Sequence, residues 1–185
     1  MHQTHTATTA LAAVLAGETW SEFVDARDFK QGMRALAAPV ALATTVSEEG
    51  PAGLTVSSFC SLSAEPPRML ICVNRDSSAY PAIAASRVLA LNVLALHHHG
   101  LALRFASGDA CRGAERFAEG DWRRRDTGAP VLADALVSFD CRVTRIHEEG
   151  THGVVIADVI AAEARREQPP LLYRDGRFLT SADTQ

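Results

Sequence analysis

The segment from Gly53 to Ser63 holds the residue types best suited to binding a ligand. It places one glycine, one threonine and four serines among apolar residues, and Pro66 and Pro67 follow, where a β-ladder cannot continue. Hydroxyls and backbone N–H groups, on a chain that Gly53 lets a ligand approach closely, suit a flat heteroaromatic ring with a phosphate tail. The same composition is equally typical of a serine-rich loop between strands, so the segment alone leaves both interpretations open.

Histidines offer the other candidate chemistry. His97, His98 and His99 are consecutive, so their side chains point in different directions on a helix and alternate between faces on a strand. No carboxylate or cysteine lies beside them in the sequence, which disfavours a shared metal site. His152 follows a glycine-containing turn and opens a strand-like run. It is either a partly exposed structural residue or a group that faces a ligand.

Apolar periodicity predicts that mainly β-strands, with flanking helices, position these residues. Residues 25–38 are predicted to form a helix that lays a stripe of Phe29, Met33, Leu36 and Ala37 on a core. Further strands are predicted at residues 40–46, 52–59, 68–74, 88–94, 137–143 and 152–160, and further helices at 80–86 and 100–106. Strands at this spacing, joined by hairpin signals, favour a small barrel over a doubly wound sheet.

Two stretches carry more specific expectations. Residues 137–143 alternate between apolar and polar side chains, which predicts a strand with one buried face. Residues 107–135 are polar and contain glycines, which indicates a long excursion of the kind that serves as a lid or a binding element, or is disordered.

Size and charge indicate one domain without a nucleic-acid or membrane partner. The 185 residues divide into a flexible N-terminal extension (1–24), a single domain (25–180) and a polar tail (181–185). The net charge of −4, with mostly scattered arginines, gives no footprint for nucleic acid. No apolar run reaches the length of a membrane span, and the N-terminal residues lack the pattern of a signal peptide.

The cysteines indicate a reducing compartment. Cys60, Cys72, Cys111 and Cys141 form no C-x-x-C pair, so they signal neither a zinc knuckle nor a dithiol redox centre. Cys60, Cys72 and Cys141 lie in apolar or alternating runs and are predicted to be buried thiols. A cytoplasmic location is therefore predicted.

Several segments, in order and spacing, carry a resemblance to a known family. They are Met69–Arg75, Leu91–Leu94, Phe105, Gly150–His152 and Pro170–Tyr173, which accompany the T-V-S-S-F-x-S run that begins at Thr55. With this pattern the chain, from about Phe29 to Phe178, resembles the flavin reductase family of short NAD(P)H:flavin oxidoreductases. These enzymes supply reduced flavin to two-component monooxygenases. The resemblance implies a split β-barrel fold and a homodimer.

The resemblance also implies the site residues. The serine-rich strand lies along the flavin, and the turn after residues 69–74 meets the flavin's phosphate or adenosine end. The implied cofactor-binding residues are Gly53, Thr55, Val56, Ser57, Ser58, Ser61, Asn74, Arg75, Ser77, Asn92, Leu94, Phe105 and Tyr173. His152 is the implied catalytic residue, which orients flavin and nicotinamide while hydride passes directly between the two rings.

Some of these residues have a second interpretation that does not involve the ligand. Arg75 either binds phosphate or is a solvated loop residue, and Asn92 either meets a polar flavin atom or closes a backbone turn. His98 stands where relatives commonly have glutamine, and Ala157 stands where they tend toward glycine, so the contacts at both positions stay open.

The implied function is NAD(P)H-dependent reduction of free FMN or FAD, with the reduced flavin passing to a partner monooxygenase. The alternative is a non-catalytic flavin-binding or storage protein of the same barrel class. The sequence does not choose between FMN and FAD or between NADH and NADPH. It also does not identify the oxygenase or say whether the flavin is retained.

Overall fold

A computed structural model describes residues 23–108, 111–165 and 167–179. Most of the predicted N-terminal extension and the predicted polar tail lie outside these residues, and both assignments stay predictions. The described residues up to Ala35 contain one helix, α1 (Ala26–Arg34), and the residues from Leu36 onward form a second compact unit. Asp25 caps α1, because its side chain accepts a hydrogen bond from the Arg27 N–H at 2.7 Å.

The helix predicted over residues 25–38 is confirmed over α1, but the prediction of a stripe laid on a core is wrong. No side chain of α1 is buried. Phe29 is 58% exposed and Met33 is 50% exposed, and Leu36, beyond the helix end, is 58% exposed. An amphipathic period predicts an apolar face, but it does not say that the same chain buries that face.

The second unit is mainly β, as predicted. Its larger elements are β1 (Ala38–Pro39), β2 (Ala41–Ser47), β3 (Gly50–Val56), β4 (Phe59–Ala64), β5 (Pro67–Asn74), α2 (Ala79–Ser86), β6 (Val88–Val93), α3 (His99–Ala106), β7 (Trp122–Arg124), β8 (Pro130–Leu132), β9 (Val137–Glu149), β10 (His152–Ala164), β11 (Leu172–Arg174) and β12 (Arg177–Leu179). Short 3-10 helices cover Leu96–His98 and Gly113–Ala118. None of the described helices has the length and apolar character that a membrane crossing requires.

Seven antiparallel strands form the main sheet, in the order β3-β2-β6-β9-β10-β5-β4. The predicted hairpin of β2 and β3 is confirmed. The strand predicted over residues 52–59 is broken at Ser57 and Ser58, so β3 pairs with β2 while β4 pairs with β5. These two serines, called the serine pair below, therefore carry the chain from one edge of the sheet to the other. The Cys72 N–H donates to the Ser58 carbonyl at 2.8 Å and holds the two edges near each other.

The sheet encloses the main hydrophobic core, whose buried members include Leu54, Ile71, Val73, Leu91 and Val155. A second cluster lies on the other side of β2 and β6. Its buried members are Val40, Leu42, Leu94, Leu101, Ala102, Phe105, Leu132, Ala135 and Leu171. Both faces of these middle strands are therefore covered.

β9 is also buried on both faces near its start, so the prediction of one buried face is wrong. Asp140 is 1% exposed, and its carboxylate accepts hydrogen bonds from the Thr127 N–H at 3.0 Å and from the Thr127 hydroxyl. Ser138 is 6% exposed and donates to Asn92 Oδ1 at 3.2 Å. These polar side chains are satisfied by protein partners and not by water, which a polar alternation in the sequence does not reveal.

The described part of the predicted excursion packs on the sheet. Arg116 is 5% exposed, and its guanidinium donates to the backbone carbonyls of Gly53 at 2.6 Å, Cys111 at 2.8 Å and Gly108 at 3.0 Å. Since a buried cation needs such partners, Arg116 fastens this segment to β3.

The prediction of buried cysteines holds for one thiol. Cys141 is buried, and burial raises the pKa of its thiol to about 12. Cys72 is half-buried and Cys60 is exposed, so the prediction is wrong for Cys60. β4 is the last strand in the order of the sheet, and an edge strand has only one neighbour to cover it.

Candidate functional site

Three of the predicted site segments meet at one part of the sheet. β10 places His152 opposite Asn74, the last residue of β5, and places Val154 opposite Cys72. Ser58 lies on the other side of β5, where its carbonyl accepts the Cys72 N–H. Neighbouring strands are about 4.8 Å apart, so roughly 10 Å separates the serine pair from β10 across β5. The register therefore brings together the serine pair, the turn after β5 and His152.

The surface between these segments is the side of β4, β5 and β10 that faces away from the core, called the outer face below. It carries Cys60, Leu70, Cys72, Val154 and Ile156. Their sequence neighbours on β5 and β10 point into the core and are buried. The outer face is thus a shallow apolar floor, and exposed polar groups of the serine pair and His152 border it. Such a floor suits a planar heteroaromatic ring.

The turn after β5 offers hydrogen-bond donors to an anion. The Ser77 N–H donates to the Asn74 carbonyl at 3.1 Å, and the Asp76 N–H donates to Asn74 Oδ1 at 2.9 Å, which fixes the turn. Ser77 Oγ is buried and has no hydrogen-bond partner among the described residues. α2 begins directly afterwards, and its N-cap residue Ser78 makes no side-chain capping bond. An unpartnered hydroxyl beside the first N–H groups of a helix fits a phosphate group.

Arg75 joins this turn to the turn between β9 and β10. Its backbone N–H donates to the Thr151 carbonyl at 3.0 Å, and the guanidinium Nη1 donates to the Gly150 carbonyl at 3.2 Å. Nη2 forms an ion pair with Glu148 at 2.9 Å. Gly150 has a φ of 53°, a conformation that glycine adopts without strain. Arg75 is therefore held by protein contacts, and these contacts fix the turn that precedes His152.

Tyr80, Glu148 and Gly153 complete this arrangement, although the sequence analysis did not select them. The Tyr80 hydroxyl donates to Glu148 Oε1 at 3.1 Å. A Cβ atom on Gly153 would lie 2.3 Å from Tyr80 Cε2, so only glycine admits the tyrosine ring there. A glycine inside a predicted strand marks a close approach, and this signal was present in the sequence.

Replacing Gly153 with alanine is expected to destabilise the protein, because the new methyl group overlaps the Tyr80 ring. Overpacking of this kind costs about 1–3 kcal/mol in free energy of unfolding, measurable by urea denaturation. Gly100→Ala in α3 is the matched control, since nothing lies within 4 Å of its Cβ position. Equal stability of both variants would contradict the close packing of Tyr80 on Gly153.

His152 is exposed at the border of the outer face. Its Nδ1 lies 2.9 Å from the Thr151 hydroxyl, a contact that restrains the ring and leaves Nε2 for a ligand. A group in this position can donate a hydrogen bond to, or accept one from, a molecule that lies on the floor.

Asn92 lies inside the wall of the barrel, so its assignment as a ligand contact is corrected. It is 0% exposed, and its amide nitrogen donates to Thr44 Oγ1 at 3.1 Å. Its Oδ1 accepts from the Leu132 N–H at 2.9 Å and from the Ser138 hydroxyl at 3.2 Å. The nitrogen and the oxygen of the side-chain amide both have protein partners. This favours the alternative that Asn92 pairs with protein groups and not with a polar flavin atom.

Gly53, Leu94 and Phe105 are also wall residues, which corrects their assignment to the ligand. A Cβ atom on Gly53 would lie 2.9 Å from Phe105 Cε1, so the missing side chain makes room for this ring and not for a ligand. Leu94 is 0% exposed and Phe105 is 1% exposed. The Phe105 ring packs on Phe117 and Trp122, with centroid distances of 5.0 and 5.6 Å.

The remaining predicted residues lie nearer to the surface. The Thr55 hydroxyl donates to the Ala102 carbonyl at 2.7 Å, and Val56 is 6% exposed, so neither side chain is offered to a ligand. Ser61 is exposed on β4. Tyr173 is 38% exposed on β11, which belongs to a separate sheet with β1 and β12. The register of the main sheet does not join Tyr173 to the other segments.

A carboxylate does lie beside the histidine run, which corrects the sequence analysis. One carboxylate oxygen of Asp134 lies 3.4 Å from His97 Nε2, and the other lies 3.2 Å from His98 Nε2. The contact with His98 does not have the angles of a hydrogen bond. The Ala95 N–H donates to His98 Nδ1 at 3.2 Å. Burial, followed by the neighbouring His97, lowers the pKa of His98. Because its Nδ1 accepts the Ala95 N–H, a neutral His98 ring carries its proton on Nε2. A ring that presents N–H to the cluster suits a carboxylate and not a metal ion.

Comparison with known proteins finds relatives over most of the chain. The family described as flavin reductase like domain matches residues 33–182. FMN reductase (NADH) RutF 2 of Methylorubrum extorquens is 48% identical over 166 residues, which cover 89% of this chain and 95% of that protein.

Solved structures share the fold. NADH:FAD oxidoreductase SgcE6 of Streptomyces globisporus has a TM-score of 0.77 and 30% identity, and the match covers 87% of this chain and 98% of that one. BorF, the flavin reductase component of a bacterial two-component tryptophan halogenase, has a TM-score of 0.76 and 28% identity, with 84% and 97% covered. The predicted fold class, a mainly β flavin reductase-like barrel with flanking helices, is confirmed.

Proposed function

The chain belongs to the flavin reductase-like domain family, and we propose that it reduces free FMN with NADH as the hydride donor. Family membership confirms the resemblance seen in the sequence and the enzyme class, an oxidoreductase. Relatives named FMN reductase (NADH) support FMN and NADH among the pairs that the sequence leaves open. The observation that carries the proposal is the register that brings the serine pair, the turn after β5 and His152 to the outer face.

The protein's part in this reaction is to bind and to orient. When both are bound, the nicotinamide supplies a hydride from its C4 to N5 of the flavin. The serine pair, the Ser61 hydroxyl and the backbone of Thr55 and Val56 bind polar atoms along the flavin's edge and ribityl chain. The turn after β5, with the Ser77 hydroxyl, holds the phosphate.

The other residues shape the reacting surface. The apolar outer face supports the flavin ring and excludes water beneath it, and His152 orients the nicotinamide against the flavin through Nε2. Asn74 lies directly opposite His152 and is exposed to the same ligand. Arg75 holds the turn before His152, and the assignment of the half-exposed Tyr173 to the cofactor stays a prediction.

Replacing Ser57 and Ser58 together with alanine is expected to raise the Kd for FMN about tenfold. Each lost hydrogen bond is worth about 0.5–1.5 kcal/mol, and titration of FMN fluorescence measures the change. Ser107→Ala is the matched control, because its hydroxyl donates to the Arg104 carbonyl at 2.7 Å at the end of α3. An unchanged Kd in a folded double variant would remove the serine pair from the site.

The reduced flavin is proposed to pass to a separate monooxygenase in the cytoplasm. The name of BorF, the reductase component of a two-component halogenase, supports a role as the reductase of such a pair. The four free cysteines, Cys60, Cys72, Cys111 and Cys141, support a reducing compartment.

A homodimer through the outer face is part of the proposal. Cys60, Leu70 and Ile156 form one apolar row across three adjacent strands, at the part of the outer face farther from His152. A second copy that buries this row would leave Cys72 and Val154, beside the serine pair, to the flavin ring and would close the pocket. Ile156→Glu is expected to convert the dimer to a monomer in sedimentation velocity at micromolar concentration and to weaken FMN binding. Leu103→Glu, at a 50% exposed position on α3, is the control. A wild-type monomer with full activity would contradict the shared pocket.

The direct test of the proposed function is a matrix of NADH and NADPH against FMN, FAD and riboflavin. Purified protein is mixed with each pair, and the loss of nicotinamide absorbance is followed. Turnover that depends on added flavin, and that is fastest with NADH and FMN, supports the proposal. A tightly held yellow flavin without turnover supports the alternative, a flavin-binding or storage protein.

A further inference from the structure

The carboxylate of Glu148 connects the turn after β5 with α2. Its Oε2 forms an ion pair with Arg75 Nη2 at 2.9 Å, and its Oε1 accepts a hydrogen bond from the Tyr80 hydroxyl at 3.1 Å. The side chains of Glu148 and Arg75 are 54% and 41% exposed, so water and salt screen their attraction. Exposed ion pairs of this kind are weak, and an anion of higher charge can therefore replace Glu148 at the guanidinium.

The position of Arg75 does not depend on this ion pair alone. Its backbone N–H donates to the Thr151 carbonyl at 3.0 Å, and its Nη1 donates to the Gly150 carbonyl at 3.2 Å. Glu148, in turn, accepts the hydroxyl of Tyr80. If Nη2 left Glu148, both side chains would therefore keep a protein partner, which lowers the cost of the exchange.

The phosphate proposed for the turn after β5 lies within reach of the same guanidinium. Ser77, whose buried hydroxyl has no hydrogen-bond partner among the described residues, is two positions from Arg75. At 3.8 Å per residue their Cα atoms are at most about 7.6 Å apart, a distance that the long side chain of an arginine spans. A phosphate carries more negative charge than a carboxylate and accepts two parallel hydrogen bonds from a guanidinium.

We propose that Glu148 competes with the flavin phosphate for Arg75. This inference rests on the proposed function and adds to it a residue that sets how tightly the flavin is held. The guanidinium exchanges Glu148 for the phosphate when FMN binds, while Glu148 keeps its hydrogen bond with Tyr80. Loss of the ion pair opposes FMN binding, so Glu148 makes the flavin easier to release, as the supply of free reduced flavin requires. Riboflavin, which has no phosphate, leaves the ion pair intact.

The variant Glu148→Gln tests the competition, because an amide still accepts the Tyr80 hydroxyl but has no charge. It is expected to lower the Kd for FMN about two- to fivefold and to leave the Kd for riboflavin unchanged, both measured by titration of flavin fluorescence. Glu149→Gln is the matched control, because it removes the same charge from the next, exposed position, and it is expected to change neither Kd. A purely structural Glu148 predicts the opposite sign, a raised Kd for both flavins.

A double-mutant cycle tests whether the effect acts through Arg75. Arg75→Gln alone is expected to raise the Kd for FMN about three- to tenfold and to leave the Kd for riboflavin unchanged. When Glu148→Gln is added to Arg75→Gln, no further change is expected, because the guanidinium for which Glu148 competes is gone. An equal effect of Glu148→Gln with and without Arg75 would overturn the proposal, since the carboxylate would then act on the flavin directly.

The competition and the proposed function fail in different ways. Turnover of NADH and FMN by the wild type, with an unchanged or raised Kd for FMN in a folded Glu148→Gln variant, would overturn the competition alone. Equal tightening of FMN and riboflavin would also overturn it, because riboflavin has no phosphate. Tighter binding of FMN by Glu148→Gln, without any oxidation of NADH by the wild type, would contradict the proposed function and leave the competition in place.

Discussion

The His152→Ala variant is expected to lose about tenfold to a hundredfold in kcat/KM for NADH, while its Kd for FMN stays within about threefold of the wild type. His152 is exposed at the border of the outer face, restrained by the Thr151 hydroxyl at 2.9 Å, so its removal relaxes the orientation of the nicotinamide. Hydride transfer between two rings needs no protein nucleophile, and some activity must therefore remain. Steady-state kinetics with varied NADH, together with FMN titration, measures both quantities.

His97→Ala is the control for this variant, because His97 is exposed and contacts Asp134 and His98, which belong to none of the segments that meet at the outer face. Complete loss of activity in His152→Ala would instead give His152 a chemical role. An unchanged kcat/KM would make His152 a structural residue and remove the nicotinamide from this part of the outer face.

The Asn92→Ala variant is expected to lose about 3 kcal/mol or more in free energy of unfolding, because buried donors and acceptors lose their partners. For a domain of this size the melting temperature falls by about 6–12 °C. The folded fraction is expected to bind FMN with the wild-type Kd, since Asn92 is 0% exposed. The nitrogen and the oxygen of its side-chain amide both make hydrogen bonds to groups of the wall.

Asn74→Ala is the reciprocal control. Asn74 is exposed, and its side chain accepts only the Asp76 N–H at 2.9 Å, so its loss is expected to change stability little and to weaken FMN binding. A stable Asn92→Ala variant with weakened FMN binding would restore Asn92 to the ligand set and contradict its placement in the wall.

The strands of the second unit are predictable because burial leaves a period in the sequence. The hairpin of β2 and β3 and the strands around Ile71, Leu91 and Val155 follow directly from apolar runs bounded by turn residues. The apolar period does not predict burial correctly where a polar residue is buried with a hydrogen-bond partner. Asp140 is such a residue, and its partner Thr127 is not adjacent to it in the sequence. The period fails in the opposite way at Phe29, where an apolar stripe is present but exposed.

The site is predictable where a motif residue has no task in the wall. The serine pair and His152 are predicted in this way, and the register places them at one part of the sheet. Gly53 and Asn92 belong to the same motifs, but a glycine that admits a ligand and a glycine that admits the Phe105 ring look identical in sequence. Glu148 was missed because its partners, Arg75 and Tyr80, are known only from the fold.

The most direct test of the account is anaerobic mixing of the protein with a large excess of FMN and NADH deuterated at the transferred C4 position. We expect many flavins to be bleached per protein molecule, with one NADH oxidised per flavin and a slower rate with deuterium than with hydrogen. We also expect this turnover to slow by at least about tenfold when the serine pair and His152 are replaced together. Bleaching of at most one flavin per protein molecule, or an undiminished rate after the triple replacement, would contradict the proposed reaction and its site.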